Sequence, residues 1–330
     1  MSHYETVVDL TNRNSSHTLV VEMVGEGRTV LDVGCASGYL ADALNERGCK
    51  VSGFERDAED AERARPKLER LVVGDLERES LADAFAGHRF DRIVFGDVLE
   101  HLTRPEDVLR SALEILGPDG EVIISVPNVA HASLRLALLG GRWHYTDVGL
   151  LDRTHLRFMT LRYLVSLLAD VGMVIEEAWS TVVDPQGTEV DFGGDWLPEG
   201  IVEWVRDQPH ALDYQFVVRA RRGEPTGALP VVKPAVPYDE ARVEDRFTQR
   251  ARKVEQIQHR GLVQRDFIVG LEAQLARTSR EAEKARTELA EAKATIADLV
   301  HERWRLRSSR TWKLGRLVTA PLGVVKRIGK

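Results

Sequence analysis

The feature that most constrains the fold of this chain is a repeated alternation of short apolar runs with helix-spaced apolar residues, from Thr29 to about Ala169. Alternation of this kind predicts βαβ units that build a parallel sheet with helices on both faces. The apolar runs contain β-branched residues, as expected for strands that are buried on both faces. We expect seven strands, at residues 29–33, 50–55, 70–73, 90–96, 121–126, 173–183 and 214–221, and helices at 14–24, 39–47, 57–68 and 105–116.

The first strand leads through a glycine-containing turn directly into a helix, in the sequence VLDVGCASGYLADAL at residues 30–44. Gly34 would let the backbone turn tightly and approach a ligand, and Gly38 would permit close contact between strand and helix. The helix that follows offers free N–H groups to a carboxylate. The glycine spacing differs from the dinucleotide-binding fingerprint, and no lysine follows as in a phosphate-binding loop. The turn alone therefore does not identify the ligand.

Acidic residues at the ends of the next strands suit a nucleoside. Glu55 ends the second strand, where a carboxylate can accept hydrogen bonds from both hydroxyls of a ribose. After the third strand, Asp75 is placed to accept from the exocyclic amine of adenine, and the Leu76 backbone to contact a ring nitrogen. Asp97 follows the fourth strand in FDRIVFGDVLEHL. The order of these residues along the chain is more informative than any one of them.

These segments, together with LGPDGEVIISVPN at residues 116–128, resemble the class I S-adenosylmethionine-dependent methyltransferases over residues 14–222. The resemblance implies a Rossmann-like seven-stranded sheet with helices on both faces, whose last strand runs antiparallel. It implies that Asp32 binds the amine of the cofactor methionine, that Glu55 binds the ribose and that Asp75 binds adenine. The expected cofactor-binding set is Asp32, Gly34, Cys35, Ala36, Gly38, Glu55, Arg56, Asp75, Leu76 and Asp97.

The segment Asp97-Val98-Leu99-Glu100-His101 resembles the acidic-x-x-Glu-His segment of two magnesium-dependent branches, the quinone-biosynthesis O-methyltransferases and the small-RNA end methyltransferases. There, two carboxylates and a histidine hold a metal that lowers the pKa of an acceptor hydroxyl. Mg²⁺ prefers oxygen ligands, and Asp has a shorter reach than Glu. Two interpretations stay open. Asp97, Glu100 and His101 bind Mg²⁺, or Asp97 contacts the cofactor or substrate while His101 is a structural residue.

Residues 140–160, GGRWHYTDVGLLDRTHLRFMT, are expected to cover the acceptor pocket, with Trp143 and Tyr145 suited to stacking on a sugar or an aromatic ring. A neutral imidazole near pH 7 can take a proton from a hydroxyl. The context RTHLRF of His155 resembles a recurrent histidine of related O-methyltransferases, although His155 could instead cap or pack the next helix. The candidate catalytic histidines are His155, His101 and His144, with His131 as a further alternative.

The composition changes after the expected methyltransferase domain at residues 1–222. Residues 223–238 contain four prolines and predict a stiff linker. Residues 239–308 predict a helical segment, in which heptad spacing from Ile268 to Leu299 favours a coiled coil and a homo-oligomer; the alternative is one solvated helix. Residues 309–330 form a basic tail, either frayed or lying on an anionic membrane surface.

The net charge of −7 does not favour nucleic acid as a partner. The first residues lack the pattern of a signal peptide, which predicts a cytoplasmic protein, with contact at the inner face of the membrane as an option. The histidine-rich acceptor segment favours a hydroxyl acceptor. We expect an O-methyltransferase that acts on a sugar hydroxyl in surface-polysaccharide or glycolipid assembly, because the tail resembles segments that close many bacterial glycan-assembly enzymes. Alternatives are a small-molecule (quinone or secondary-metabolite) O-methyltransferase and a non-catalytic scaffold or chain-length regulator.

Overall fold

The computed structural model describes residues 8–193, 197–198, 200–225, 227–241, 275, 278–280 and 282–311. The chain divides into two compact units, Met1–Arg252 and Lys253–Lys330. The part of the predicted coiled coil at residues 242–274 and the tail at 312–330 lie outside the described residues.

The described residues of the first unit include eight strands and eight α-helices. The strands are β1 (Thr29–Val33), β2 (Lys50–Glu55), β3 (Arg70–Val73), β4 (Phe90–Gly96), β5 (Leu116–Pro127), β6 (Met173–Val182), β7 (Asp213–Arg222) and β8 (Val232–Pro234). The helices are α1 (Ser16–Val24), α2 (Tyr39–Glu46), α3 (Ala58–Ala64), α4 (Leu81–Ala84), α5 (Pro105–Ile115), α6 (Ala132–Leu139), α7 (Leu161–Asp170) and α8 (Ile201–Arg206).

The strands form a single sheet in the order β3-β2-β1-β4-β5-β7-β6-β8. Strand β7 is antiparallel to both of its neighbours, and the other pairs are parallel. The predicted Rossmann-like sheet and its antiparallel strand are confirmed. Strands β1 and β4 are neighbours. After β1 the chain continues to β2 on one side of this pair, and after β4 it continues to β5 on the other side. Ligands of such sheets bind at this switch point, outside the carboxyl ends of the strands.

Both faces of the sheet are buried, which explains why the strands read as continuous apolar runs. On β1, Val30 packs with Leu19 of α1 and Leu44 of α2 on one face. The adjacent Leu31 packs on the opposite face in a cluster that includes Leu109 of α5. The two layers of helices fix β1 from both sides, so the turn that follows this strand is held rigidly.

The eighth strand is a difference from the sequence prediction of seven strands. Val232–Pro234 pairs with the exposed edge of β6, with Ala178 opposite Val232. A proline is tolerated here because an edge strand does not need every backbone donor. The segment that the prolines predicted to be a linker therefore contributes an edge strand to the sheet.

In the second unit, residues 282–308 form one continuous helix. No helix within the described residues has the length and apolarity that crossing a bilayer requires.

Candidate active site

The turn between β1 and α2 is the base of the site. The Gly34 N–H donates to the carbonyl oxygen of Phe54 at 2.8 Å, and the Gly38 N–H donates to that of Cys35 at 2.8 Å. Both glycines have a left-handed φ, +75° at Gly34 and +76° at Gly38. A Cβ atom on Gly34 would lie 2.7 Å from Cγ2 of Val98. Glycine is therefore required at position 34 both by the backbone angle and by the Val98 side chain.

Ala36, in the same turn, has a φ of +45°, which is strained for a residue with a side chain. This conformation directs its N–H to Oε2 of Glu55 at 2.8 Å. The other carboxylate oxygen, Oε1, accepts from the N–H groups of Arg56 and Asp57, each at 2.8 Å. Glu55 is thereby fixed at the carboxyl end of β2, as the sequence predicts for the residue that meets a ribose.

Asp32 is buried on β1, two residues before Gly34, with 2% of its surface exposed. Its Oδ2 atom has no hydrogen-bond partner among the described residues. Burial, together with the charge of Glu55, raises the pKa of Asp32 to about 7. A buried carboxylate without a partner favours a cationic ligand group, which is what the amine of a bound methionine would supply.

A first cavity of about 540 Å³ opens beside Glu55. Its wall contains several of the predicted cofactor residues, and we call it the nucleoside-side cavity. The lining includes Gly34, Glu55, Arg56, Asp75, Leu76 and Asp97. The side chains of Asp32 and Cys35 do not line it. Cys35 is buried against Gly53, whose Cβ would lie 2.6 Å from the cysteine sulfur.

A second cavity of about 530 Å³, the acceptor-side cavity, meets the first across Gly34, Gly96, Asp97 and His101, which line both. Its wall also contains His17 of α1 and Tyr39 of α2, whose rings pack edge to face with centroids 5.0 Å apart. The predicted first helix thus covers this part of the site.

Asp97 lies at the junction of the two cavities and has a φ of +55°. Its Oδ1 atom accepts from Oγ of Ser125 at 2.9 Å and from Nε2 of Gln215 at 3.0 Å. The sequence predicted Asp97 but neither of these partners. A usable signal for Gln215 is that β7 is antiparallel, so the residues that begin it lie at the edge where the parallel strands end.

The wall of the acceptor-side cavity contains a cluster of three side chains, Glu100, His101 and His155. Each offers one potential metal-ligand atom, and these three atoms lie within 4.8 Å of one another. The His101 and His155 rings pack edge to face at 4.9 Å. Nδ1 of His101 lies 3.2 Å from the carbonyl oxygen of Thr154. Since a carbonyl only accepts, Nδ1 carries the proton and the lone pair of His101 is on Nε2.

Two atoms of this Glu100–His101–His155 cluster, Oε2 of Glu100 and Nδ1 of His155, are buried without a hydrogen-bond partner among the described residues. Burial, and then the charge of Asp97, raises the pKa of Glu100 well above its ordinary value. Burial, and then the nearby His101, lowers the pKa of His155. His155 is therefore a neutral imidazole at pH 7, as a general base requires.

The other predicted acceptor residues lie elsewhere. His144 is exposed and lines neither cavity. His131 is fully buried, and its ring nitrogens contact Oγ of Ser133 and the carbonyl oxygen of Val183, each at 2.9 Å. Burial lowers the pKa of His131 to about 4. His131 holds the start of α6 in place, so the alternative of a catalytic role for it is not supported.

The aromatic side chains of the acceptor segment form a cluster of their own. Trp143 packs edge to face on Phe158 with ring centroids 5.3 Å apart, and Tyr145 lies 6.4 Å from both rings. Tyr145 remains 53% exposed. The acceptor-side cavity is lined by Tyr214, at the start of β7, and not by Trp143 or Tyr145. Tyr214 was not predicted from the sequence as a site residue.

A family model described as "Methyltransferase domain" matches residues 8–178. The ubiquinone biosynthesis O-methyltransferase of Psychrobacter arcticus is 30% identical over 173 residues, covering 50% of this chain and 66% of that protein. The protein of the same name from Pseudomonas entomophila is 34% identical over 122 residues, covering 36% of this chain and 52% of that protein. The chain spans between about half and two thirds of the length of these relatives.

Among solved structures, a methyltransferase from Archaeoglobus fulgidus has a TM-score of 0.45 at 15% identity, covering 64% of this chain and 97% of that one. Magnesium protoporphyrin IX methyltransferase from Synechocystis, solved with bound SAH, has a TM-score of 0.43 at 17% identity, covering 67% of this chain and 91% of that one.

Proposed function

The chain belongs to the class I S-adenosylmethionine-dependent methyltransferases, and from this premise we propose that it methylates a hydroxyl group of a small molecule. The observation that carries the proposal is the Glu100–His101–His155 cluster, which lines the acceptor-side cavity and whose His101 also lines the nucleoside-side cavity. A hydroxyl is a poor nucleophile until it loses its proton, and this cluster supplies groups that remove one.

We propose that S-adenosylmethionine binds with its adenosine in the nucleoside-side cavity, against Glu55 and Asp75, and its methionine toward Asp32 and Gly34. The sulfonium then lies near Asp97, at the junction of the cavities. The cofactor carries positive charge on its amine and its sulfur, and in this arrangement Asp32 lies on the side of the amine and Asp97 on the side of the sulfur. The site therefore supplies charge complementarity and alignment, while the cofactor supplies the reactive methyl group.

In the proposed reaction, an oxygen of the acceptor attacks the methyl carbon in line with the carbon–sulfur bond. The new oxygen–carbon bond forms as the carbon–sulfur bond breaks, and the electron pair remains on sulfur. The hydroxyl proton passes to Nδ1 of His155, which is buried and has no partner among the described residues. The lowered pKa of His155 keeps this nitrogen available at neutral pH.

As an alternative to the base, the cluster also fits a divalent cation, because Oε2 of Glu100 and Nδ1 of His155 are buried potential ligand atoms without a partner in the described part of the chain. The lone pair on Nδ1 would then bind the cation and would not accept the proton. A cation bound there would lower the pKa of an acceptor hydroxyl. One carboxylate and two imidazoles match Mn²⁺ or Zn²⁺ better than Mg²⁺, which prefers oxygen. Asp97, which the sequence grouped with Glu100 and His101, instead bonds Ser125 and Gln215.

The small-molecule acceptor is the alternative of the sequence analysis, and the relatives support it better than the sugar hydroxyl that was expected first. Those relatives carry the name ubiquinone biosynthesis O-methyltransferase. The tail that suggested glycan assembly is described only at residues 309–311. The rings of Tyr39 and Tyr214 in the cavity wall suit an aromatic acceptor. Contact of residues 309–330 with the inner face of a membrane, and a cytoplasmic location, stay proposals.

The test is transfer of radiolabelled methyl from S-adenosylmethionine to a panel of catechols, phenols and sugars, after chelation and then with Mg²⁺, Mn²⁺ or Zn²⁺ restored. We expect label on phenolic oxygen. His155→Ala should lower kcat by roughly 10²-fold or more and leave cofactor affinity in calorimetry unchanged. His144→Ala, at an exposed histidine outside both cavities, is the matched control and should keep full activity.

The pH profile gives an independent check on the base. Because the pKa of His155 is lowered from its ordinary value of 6.5, the acidic limb of kcat/KM should lie below pH 6.5. Label appearing only in sugars, or a His155→Ala variant as active as His144→Ala, would refute the proposal.

A further inference from the structure

The helix at residues 282–308 exposes large apolar side chains at heptad spacing. Leu289 is 55% exposed, Ile296 is 60% exposed and Leu299 is 58% exposed. Leu275, two heptads before Leu289, is 68% exposed. With Ala282, Ala285 and Ala292, these residues occupy the a and d positions of consecutive heptads. A stripe of this kind is buried when another helix packs along it.

Charged residues beside the stripe follow the same repeat. With Leu289 at position a, the g positions carry Glu281 and Glu288, and the e positions carry Arg286 and Lys293. In a parallel pair of helices, a g residue faces the e residue five positions later on the partner. Glu288 then faces Lys293 of the second copy, and the sequence sets Glu281 against Arg286 in the same way. In an antiparallel pair, g faces g and e faces e, which sets like charges against each other.

We propose that this surface binds a second copy of the same chain, as a parallel, in-register, two-stranded coiled coil. Charge complementarity selects the parallel orientation and the register. The small side chains at Ala282, Ala285 and Ala292 select two strands, because the wider core of a three-stranded coil would leave cavities beside them. This inference does not depend on the acceptor or on the catalytic role of any residue.

One intrahelical contact involves the same glutamate. Nζ of Lys284 lies 3.9 Å from Oε1 of Glu288, with the two side chains 80% and 67% exposed. An exposed pair at this spacing contributes little free energy. Glu288 is therefore available to the partner helix, where the pair with Lys293 lies against the apolar stripe and is better shielded from water.

Cysteine cross-linking in the full-length chain tests the orientation. Ala285→Cys and Ala292→Cys, made separately, each place a thiol at a d position, where a parallel in-register pair sets each residue beside its own copy. Mild oxidation should convert both variants to disulfide-linked dimers. The wild type is the control, since Cys35 and Cys49 are buried. An antiparallel pair brings at most one of these positions beside itself, so linkage at one position or at neither overturns the proposal.

Sedimentation equilibrium of charge variants tests the register. Glu288→Lys should weaken dimerisation on the order of tenfold, because it turns two attractive pairs into repulsive ones. Adding Lys293→Glu restores opposite charges and should restore the wild-type affinity. The matched control is Glu291→Lys, the same charge change on the outer face of the helix, which should leave affinity unchanged. Equal effects of Glu288→Lys and Glu291→Lys, or a monomeric wild type at micromolar concentration, would also overturn the proposal.

Discussion

At the scale of one residue, the burial of Asp32 destabilises the fold and leaves a carboxyl oxygen without a partner among the described residues, as a site for a cationic ligand group requires. Its carboxylate is buried beneath the glycine turn, and its Oδ2 atom has no partner within the described residues. The pKa of about 7, against an ordinary value of 3.8, means that the folded protein resists ionising this group. A carboxyl whose pKa is raised by folding destabilises the fold as pH rises from its unfolded toward its folded pKa. A cationic ligand group would reverse that cost.

We predict that Asp32→Asn stabilises the ligand-free protein at pH 8 while weakening S-adenosylmethionine binding by at least roughly tenfold. Removing the charge raises the free energy of unfolding by about 4 kcal/mol at most. Burying an unpaired amide lowers the free energy of unfolding by about 1–3 kcal/mol. The net gain is roughly 2 kcal/mol at pH 8, should vanish near about pH 5, and should become a net loss near pH 4, where the wild-type carboxyl is largely protonated. Urea denaturation at both pH values and calorimetry measure the two effects. A variant less stable than wild type at pH 8 would contradict the burial argument.

Glu189 links two elements of the acceptor side. Its Oε1 atom accepts from the Leu150 N–H at 2.6 Å, and its Oε2 atom accepts from the Tyr214 hydroxyl at 2.9 Å. A Cβ atom on Gly149 would lie 2.1 Å from Oε1, so only glycine lets the loop approach this closely. The loop of Val148 and Gly149 lines the acceptor-side cavity. The two hydrogen bonds of Glu189 therefore connect this loop to the start of β7. We therefore expect Glu189 to act as a positioning residue for the acceptor.

We predict that Glu189→Ala raises the KM for the acceptor by roughly tenfold, because two hydrogen bonds that hold the loop are lost, and leaves cofactor affinity unchanged. Glu189→Gln keeps one oxygen that accepts a hydrogen bond. This variant should retain most of the activity that Glu189→Ala loses. Glu203→Ala, at a glutamate of α8 that is 69% exposed, is the control. Steady-state kinetics at a saturating cofactor concentration measures the KM for the acceptor, and calorimetry measures the affinity for the cofactor. A fall in cofactor affinity equal to the rise in acceptor KM would indicate general disruption instead.

At the scale of the elements, most strands were predictable from the sequence and some site residues were not. Strands β1 to β4 begin and end where predicted, because each is a short apolar run bounded by turn residues. Val232–Pro234 was missed because three residues with a proline carry no strand pattern, and only the free edge of β6 makes them a strand. Glu55 and Asp97 were predictable from the rule that sites lie at strand ends. The antiparallel direction of β7 places Gln215 at this edge, but its hydrogen bond to Asp97, like the positions of His17 and Tyr214, depends on how α1 and β7 pack there.

The edge strand β8 and the residues that follow it belong to the packed part of the first unit. After β8, the Ala235 N–H donates to the carbonyl oxygen of Ser180 at 2.8 Å. The Tyr238 hydroxyl donates to Oδ1 of the fully buried Asp213 at 2.8 Å. Ala241 is buried in a small cluster with Val182 and Leu212. The chain beyond Arg222 therefore completes the packing around Asp213, and a cut at residue 222 removes part of the unit.

We predict that a chain ending at Arg222 is less stable than one ending at Arg252 by about 3 kcal/mol or more, since it loses a hydrogen bond to a buried carboxylate and the β8 pairing. For a protein of this size that is a fall in Tm of roughly 6–12 °C. Tyr238→Phe in the full chain removes only the hydroxyl and should cost about 1–2 kcal/mol. Differential scanning fluorimetry of the three proteins beside the wild type measures the differences. Equal Tm values for the two truncated chains would mean that residues 223–252 add no stability, and that residues 223–238 act only as the linker that their prolines suggested.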